Sequence, residues 1–175
     1  PASDNEVVLK SFDNTNNVID FTEDGGPDLT AAIPEGDYTN MNELSSAIES
    51  ALENASENNA EYTVTYSNKH NKFTIEYDGP GDLELLWNTG TNASINASTE
   101  LGYDNSADDT GTDAYTADDR AQLFNIVSGT NDKINFREVG CESSGGKACE
   151  LTAEIPADSY YDPERFAKVV EDAME

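Results

Sequence analysis

The 175-residue chain carries 36 acidic against nine basic residues, a formal net charge of −27, which argues against nucleic acid or anionic lipid as partners because both would be repelled. Apolar residues make up 36% of the chain, below the usual share, so the expected core is small and the loops abundant. No apolar run approaches the roughly 20 residues that a bilayer-spanning helix needs, so no membrane insertion is expected.

In chain order, Val7–Phe12 opens the pattern. Val18–Thr22 then alternates with Ile19 and Phe21 on one face, predicting a strand that pairs antiparallel with Leu29–Ile33 after the turn EDGGPD. Pro34-Glu35-Gly36 should end that pairing, since proline lacks a backbone donor and glycine permits a left-handed turn. Asn40, with Glu43 three residues on, is placed to cap a helix whose apolar face is Leu44, Ala47, Ile48, Ala51, Leu52 and Ala55. YTVTY (Tyr62–Tyr66) and KFTIEY (Lys72–Tyr77) alternate around SNKHN and predict a hairpin with Tyr62, Val64, Tyr66, Phe73, Ile75 and Tyr77 inward. Asp82–Trp87 supplies a further strand. A short helical or turn-rich segment leads to Leu101-Gly102-Tyr103, and the acidic stretch Asp104–Asp113 reads as a loop.

The second part of the chain repeats the first. DNEVVLKSFDNTNNVIDFTE (Asp4–Glu23) matches DRAQLFNIVSGTNDKINFRE (Asp119–Glu138), so that Ile19 and Phe21 fall on Ile134 and Phe136. LTAAIPEGDY from Leu29 matches LTAEIPADSY from Leu151, and Met41–Glu53 continues onto Pro163–Glu175 without a gap. In the second helix, Asp162 and Pro163 mark the start, and Phe166, Val169, Val170, Ala173 and Met174 share one face. The expected fold class is α+β, an antiparallel sheet with an amphipathic helix on one face. Residues 1–115 form a first complete ββ-α-βββ repeat, and residues 116–175 the first half of a second. A unit recurring in tandem and stopping in mid-unit suggests a piece of a longer modular protein. Without counterparts of YTVTY, KFTIEY and DLELLW, the half-repeat is expected to need cover from the first repeat or from a neighbouring chain.

Motifs of catalysis are absent from the sequence. It has no nucleophile–base constellation, phosphate loop or dinucleotide fingerprint, so no enzyme, catalytic residue or cofactor is expected. His70, the only histidine, sits in a polar turn and reads as a solvated tip. Asp104, Asn105, Asp108, Asp109 and Asp113, with Gly111 for a bend, supply oxygens within ten residues. Their order does not fit a calcium loop ending in a bidentate Glu, and a solvated acidic loop is the expected reading, with no metal site assigned. Asn54, Asn92 and Asn96 open N-x-S triplets, close to the number that chance provides in so Asn- and Ser-rich a chain. Cys141 and Cys149 close the segment CESSGGKAC, seven residues longer than its counterpart in the first repeat. A local disulfide across that loop is expected, which points to an oxidising, extracellular setting.

The ordered set IDFTED, LTAAIPEGDYT, LSSAIESALE, YTVTYSNKHNKFTI, LELLWNTGTNAS and LGYD resembles tandem outer domains of bacterial flagellar hook-associated proteins and some long flagellins. Similar modules occur in phage and large-virus virion proteins. The resemblance implies a non-enzymatic, solvent-exposed module of an extracellular surface filament in cell motility. Its partners would be copies of itself or neighbouring filament subunits. The long heptad-patterned helices through which flagellins polymerise are missing here, which implies an outward-facing part. Alternatives are a virion tail-fibre or decoration module that binds a host surface, and a carbohydrate-binding adhesive module with Trp87 and the tyrosines as stacking platforms, although Trp87 sits in an apolar run and core packing is the expected reading for it. Stability should rise with moderate salt, because screening relieves self-repulsion. A melting temperature equal at about 10 and 300 mM NaCl would show instead that the charges are locally neutralised.

Overall fold

The computed structural model describes residues 8–121, 124–126, 128–143, 147–160 and 163–175, except for the side chains of 124, 125, 138–143, 147–149, 159, 163 and 164. The fold is α+β, as the alternation and helical spacing predict, and divides into two compact units, Pro1–Ala121 and Gln122–Glu175.

In the first unit, β2 (Val18–Glu23) pairs antiparallel with β3 (Leu29–Ala32), Ile19 opposite Ala31 and Phe21 opposite Leu29. The ladder stops at Ala32, just before Pro34. The chain then pairs again: Gly36–Tyr38 forms β4 against β1 (Lys10–Phe12). The turn at Pro34 thus redirects the strand onto a new partner instead of ending its pairing. Tyr38 lends its hydroxyl to the Pro34 carbonyl at 2.9 Å and its ring edge to Phe12.

Helix α1 (Met41–Ala55) begins where Asn40 Oδ1 accepts from the Asn42 N–H at 2.8 Å, satisfying one of the donors left open at a helix start. It packs its Leu44, Ile48, Ala51 and Leu52 face on β3 and on β5 (Tyr62–Ser67). β5 forms the expected hairpin with β6 (Lys72–Tyr77), in the register Tyr62–Tyr77, Val64–Ile75 and Tyr66–Phe73. β7 (Leu83–Leu85) adds to the free edge of β2, Leu85 opposite Phe21 and Glu84 opposite Thr22.

The acidic stretch departs from the loop reading. Asp109–Thr112 is strand β8, paired with β7, and Ala114–Thr116 is β9, paired with β6. Both close sheet edges whose backbone groups require partners. On such an edge, outward Asp and Thr suffice, so no apolar alternation announces the strand. Between β7 and β8, helix α2 (Ser98–Leu101) ends at Gly102. Gly102 has φ +89°, and a Cβ there would lie 2.6 Å from the Asp119 carbonyl, so Leu-Gly-Tyr requires its glycine for both the left-handed cap and this close approach. The Ala117 N–H donates to the Phe73 carbonyl and that of Ala121 to the Asn71 carbonyl, tying the residues up to 121 into this unit.

The second unit uses the same plan. β10 (Phe124–Ile126) pairs with β13 (Asp158–Tyr160), and β11 (Lys133–Ser143) with β12 (Lys147–Glu154). Helix α3 (Pro163–Met174) packs on β12 and β13. Ile134 lies opposite Ala153 and Phe136 opposite Leu151, the register of Ile19–Ala31 and Phe21–Leu29. The Ile155 N–H donates to the Asp132 carbonyl as Ile33 does to Asn17, and the Tyr160 hydroxyl to Pro156 as Tyr38 does to Pro34. One equivalence differs from the sequence match: the ladders align Phe12 with Ile126, not with Val127. The turn leading into β11 is one residue longer than its counterpart, and the shift keeps the apolar residue on the inward side. Ile126, Ile155 and Tyr160 form a small core, with Ile134, Phe166, Val169 and Val170 packed against it.

The CESSGGKAC segment also departs from expectation. β11 runs on to Ser143 and β12 begins at Lys147, so both cysteines lie on strands. Cys149 stands opposite Glu138, and Cys141 falls where the register shifts between Glu138 and Ser143. The expected disulfide concerns side chains outside the described residues.

Candidate functional site

β2 is the best-buried strand of the first unit, on both faces. Ile19 and Phe21 point toward the helix side, as alternation dictates. Val18, Asp20 and Thr22 lie on the other face and are buried as well, Val18 and Asp20 bonding to the segment after β7 and Thr22 to Glu84 of β7. Asp20 is only 3% exposed. Its carboxylate accepts from the Thr30 hydroxyl at 2.8 Å, the Asn92 N–H at 2.6 Å and the Asn92 side-chain amide at 2.9 Å. A Cβ at Gly90 would come within 2.6 Å of Asp20 Oδ2, so the glycine lets the covering segment close down on the charge. The second unit places Asn135 at this position, exposed, accepting from the Thr152 hydroxyl at 2.8 Å. Nothing in the alternating pattern distinguishes a covered Asp from a solvated one, so the sequence reading missed this anchor.

Glu23, at the end of β2, is also 3% exposed. Oε1 accepts from the Tyr62 hydroxyl at 2.7 Å, while Oε2 is buried without a hydrogen-bond partner. With Asp24, Gly26, Pro27, Leu29, Glu57 and Asn58 it lines a cavity of about 200 Å³. Burial, then the bond to Glu23, pushes the Tyr62 phenol well above its ordinary value of 10.0. Burial likewise raises Tyr103, Tyr66 and Tyr38. Groups whose folded pKa is raised contribute stability that is complete below the unfolded value and is lost as pH rises through the folded one. The first unit should therefore hold to about pH 10 and unfold above it, with tyrosinate absorbance appearing as the circular dichroism signal is lost. Free tyrosinate titration near pH 10 with the signal intact would contradict this.

The acidic stretch uses its carboxylates as pins. Asp108 Oδ1 accepts from the N–H groups of Asn88 (2.7 Å) and Thr89 (3.0 Å). Burial works to raise its pKa, but the bonds from Thr89 and Asn88 outweigh it and hold Asp108 below the usual carboxylate value. Asp109 Oδ2 accepts from the Trp87 indole at 3.0 Å; burial pushes that carboxyl up, with the Trp87 bond working against it. Asp104 accepts from the Ser106 N–H and hydroxyl. Asn105 and Asp113 are exposed. Among the described residues, no group of three or more His, Cys, Asp or Glu is placed to hold a metal ion.

Trp87 is 1% exposed and stacks on Tyr103 at 5.0 Å between ring centroids. It is a core residue with no face free to meet a sugar, which removes Trp87 as a stacking platform. The side-chain amide of Asn92 donates to Asp20, and that of Asn96 to the Trp87 and Ala93 carbonyls. A glycan replaces one amide hydrogen, so it would cost Asn96 one of its two bonds, whereas Asn54 is exposed on α1. His70 is exposed in the β5–β6 turn, its Nδ1 3.3 Å from the Ser67 hydroxyl. Among the described residues, no helix is long and apolar enough to cross a membrane.

The second unit also offers a concave surface. A cavity of about 670 Å³ is lined by Asn135, Phe136 and Arg137 of β11 and by Glu150, Leu151 and Thr152 of β12. Arg137 pairs with Glu150 at 2.8 Å, both largely exposed. The chain matches no protein-family model and no curated protein.

Proposed function

We propose that this chain is a non-enzymatic structural module, the solvent-exposed outer region of an extracellular filament protein of the flagellar hook-associated or flagellin type. The observation that carries the reading is the repetition. One strand pairing, one Tyr-to-Pro-carbonyl bond and one helix position occur in both units with matching register. Tandem modules of this kind build surfaces by being added one after another. The carboxylates of buried Asp20 and of half-exposed Asp108 and Asp109 support the same reading, because they hold chain segments together. A net charge of −27 suits an outer surface whose copies must not adhere to one another.

Its neighbours are further copies of the parent protein or adjoining filament subunits. Deleting the coding region for these residues from the parent gene tests the proposal. Filaments should still assemble, with lower electrophoretic mobility toward the anode from the lost carboxylates. Loss of all assembly would overturn it.

A further inference from the structure

Asp20 and Glu23 are both buried acids of β2, each 3% exposed, and the fold treats them differently. Both oxygens of Asp20 accept hydrogen bonds. Of Glu23, Oε1 accepts from the Tyr62 hydroxyl, whereas Oε2 is buried with no hydrogen-bond partner. A buried carboxylate oxygen left in this way is costly, and folded proteins rarely keep one without something to satisfy it. Glu23 also lines the cavity of about 200 Å³, with Asp24, Glu57 and Asn58 as its other polar side chains. The described lining thus carries three carboxylates and an amide, and no lysine, arginine, histidine or thiol. The Tyr77 phenol reports the same negative field: burial first, then the charges of Glu23 and Asp24, push it up, with a bond to Asn58 working against them.

We propose that this cavity binds a hard divalent cation, Mg²⁺ or Ca²⁺, with Glu23 Oε2 as its direct ligand and Asp24, Glu57 and Asn58 acting through the ion's remaining waters. Oxygen donors suit these ions, and a lining without imidazole or thiolate disfavours zinc and copper. Among the described residues no three acids converge as a dry cage requires, so the ion keeps part of its water shell. The cavity has room for that, since each water takes about 30 Å³ of liquid. Asp24 and Glu57 are exposed and draw the ion in; buried Glu23 holds it where salt screens least. The bound ion ties the turn between β2 and β3 to the segment between α1 and β5. The site stands whether or not the parent protein is a filament.

The 175-residue chain, stripped of ions with a chelator, is titrated with MgCl₂ and separately with CaCl₂ in about 0.15 M NaCl, which screens diffuse attraction. Calorimetry should show a saturable site of about millimolar affinity for at least one of the two ions. The amide signals of residues 23–29 and 57–58 should shift along the same curve. Glu23→Gln should weaken binding about tenfold or more, and Glu57→Gln about two- to threefold. Asp113→Asn removes an exposed charge outside the cavity lining and should leave binding unchanged. If Glu23→Gln does not fold, the contrast between Glu57→Gln and Asp113→Asn decides. Absence of saturable binding by both ions, amide shifts confined to other residues, or full affinity in folded Glu23→Gln would each overturn the proposal. Equal loss in Glu57→Gln and Asp113→Asn would also overturn it, since that is the mark of a counterion cloud.

Discussion

Truncating Phe21 to alanine should cost about 3–5 kcal/mol, and truncating its counterpart Phe136 only about 1–2 kcal/mol. The two residues hold the same register position on matching strands, each opposite a leucine. They differ in what lies beyond. Phe21 sits between Leu29 and Leu85 with the Tyr62 ring against its edge, and is fully buried. Removing it leaves a cavity that strands paired on both sides cannot close. Phe136 has no described strand on its outer side and is partly exposed, so most of the loss is transfer free energy without a cavity. Urea melts followed by resolved amide signals from each unit measure both costs in one chain. Equal costs would mean that Phe136 is as well covered in solution as Phe21.

Asp20→Ala should destabilise the first unit by about 2–3 kcal/mol, because it removes the buried charged acceptor that ties the half-buried Asn92 and the exposed Thr30 to β2. Three hydrogen bonds converge on the carboxylate, two of them from Asn92, and no lysine or arginine is among the partners. Asp20→Asn should recover less than half of the loss, since its amide places a donor against donors. Exchange should rise first at the amides of Asn92 and Ala97, which bond to β2. Asn135→Ala, at the matching but exposed position, should stay within about 0.5 kcal/mol. A loss below about 1 kcal/mol for Asp20→Ala would show that water replaces the carboxylate at no great cost.

Much of this architecture is readable from the residues, and the reasons are local. Ile19 and Phe21 alternate, Tyr62–Tyr66 and Lys72–Tyr77 alternate around a turn, and Leu44, Ile48 and Leu52 recur at helical spacing; each became the element its period implies. Asn40 caps its helix because its side chain reaches a backbone N–H two residues on, an interaction that needs no distant partner. The buried Trp87 was legible as well, from its place in an apolar run.

By itself, then, the sequence determined the repeat, the α+β class, the inward faces and the register of the neighbouring strand pairs, all of which depend on contacts between residues close in the chain. Only the tertiary structure decided the pairing of Lys10–Phe12 with Gly36–Tyr38, the recruitment of Asp109–Thr112 and Ala114–Thr116 as edge strands, and the run of β11 past Cys141. Strands of three or four residues with few apolar side chains carry too weak a pattern to declare themselves; an unpaired backbone edge elsewhere in the fold calls them in. The same holds for charge. Asp20 and Asn135 look alike as outward residues of matching strands, and Asp20 is buried because the segment Gly90 to Asn96 folds over it, whereas Asn135 is exposed.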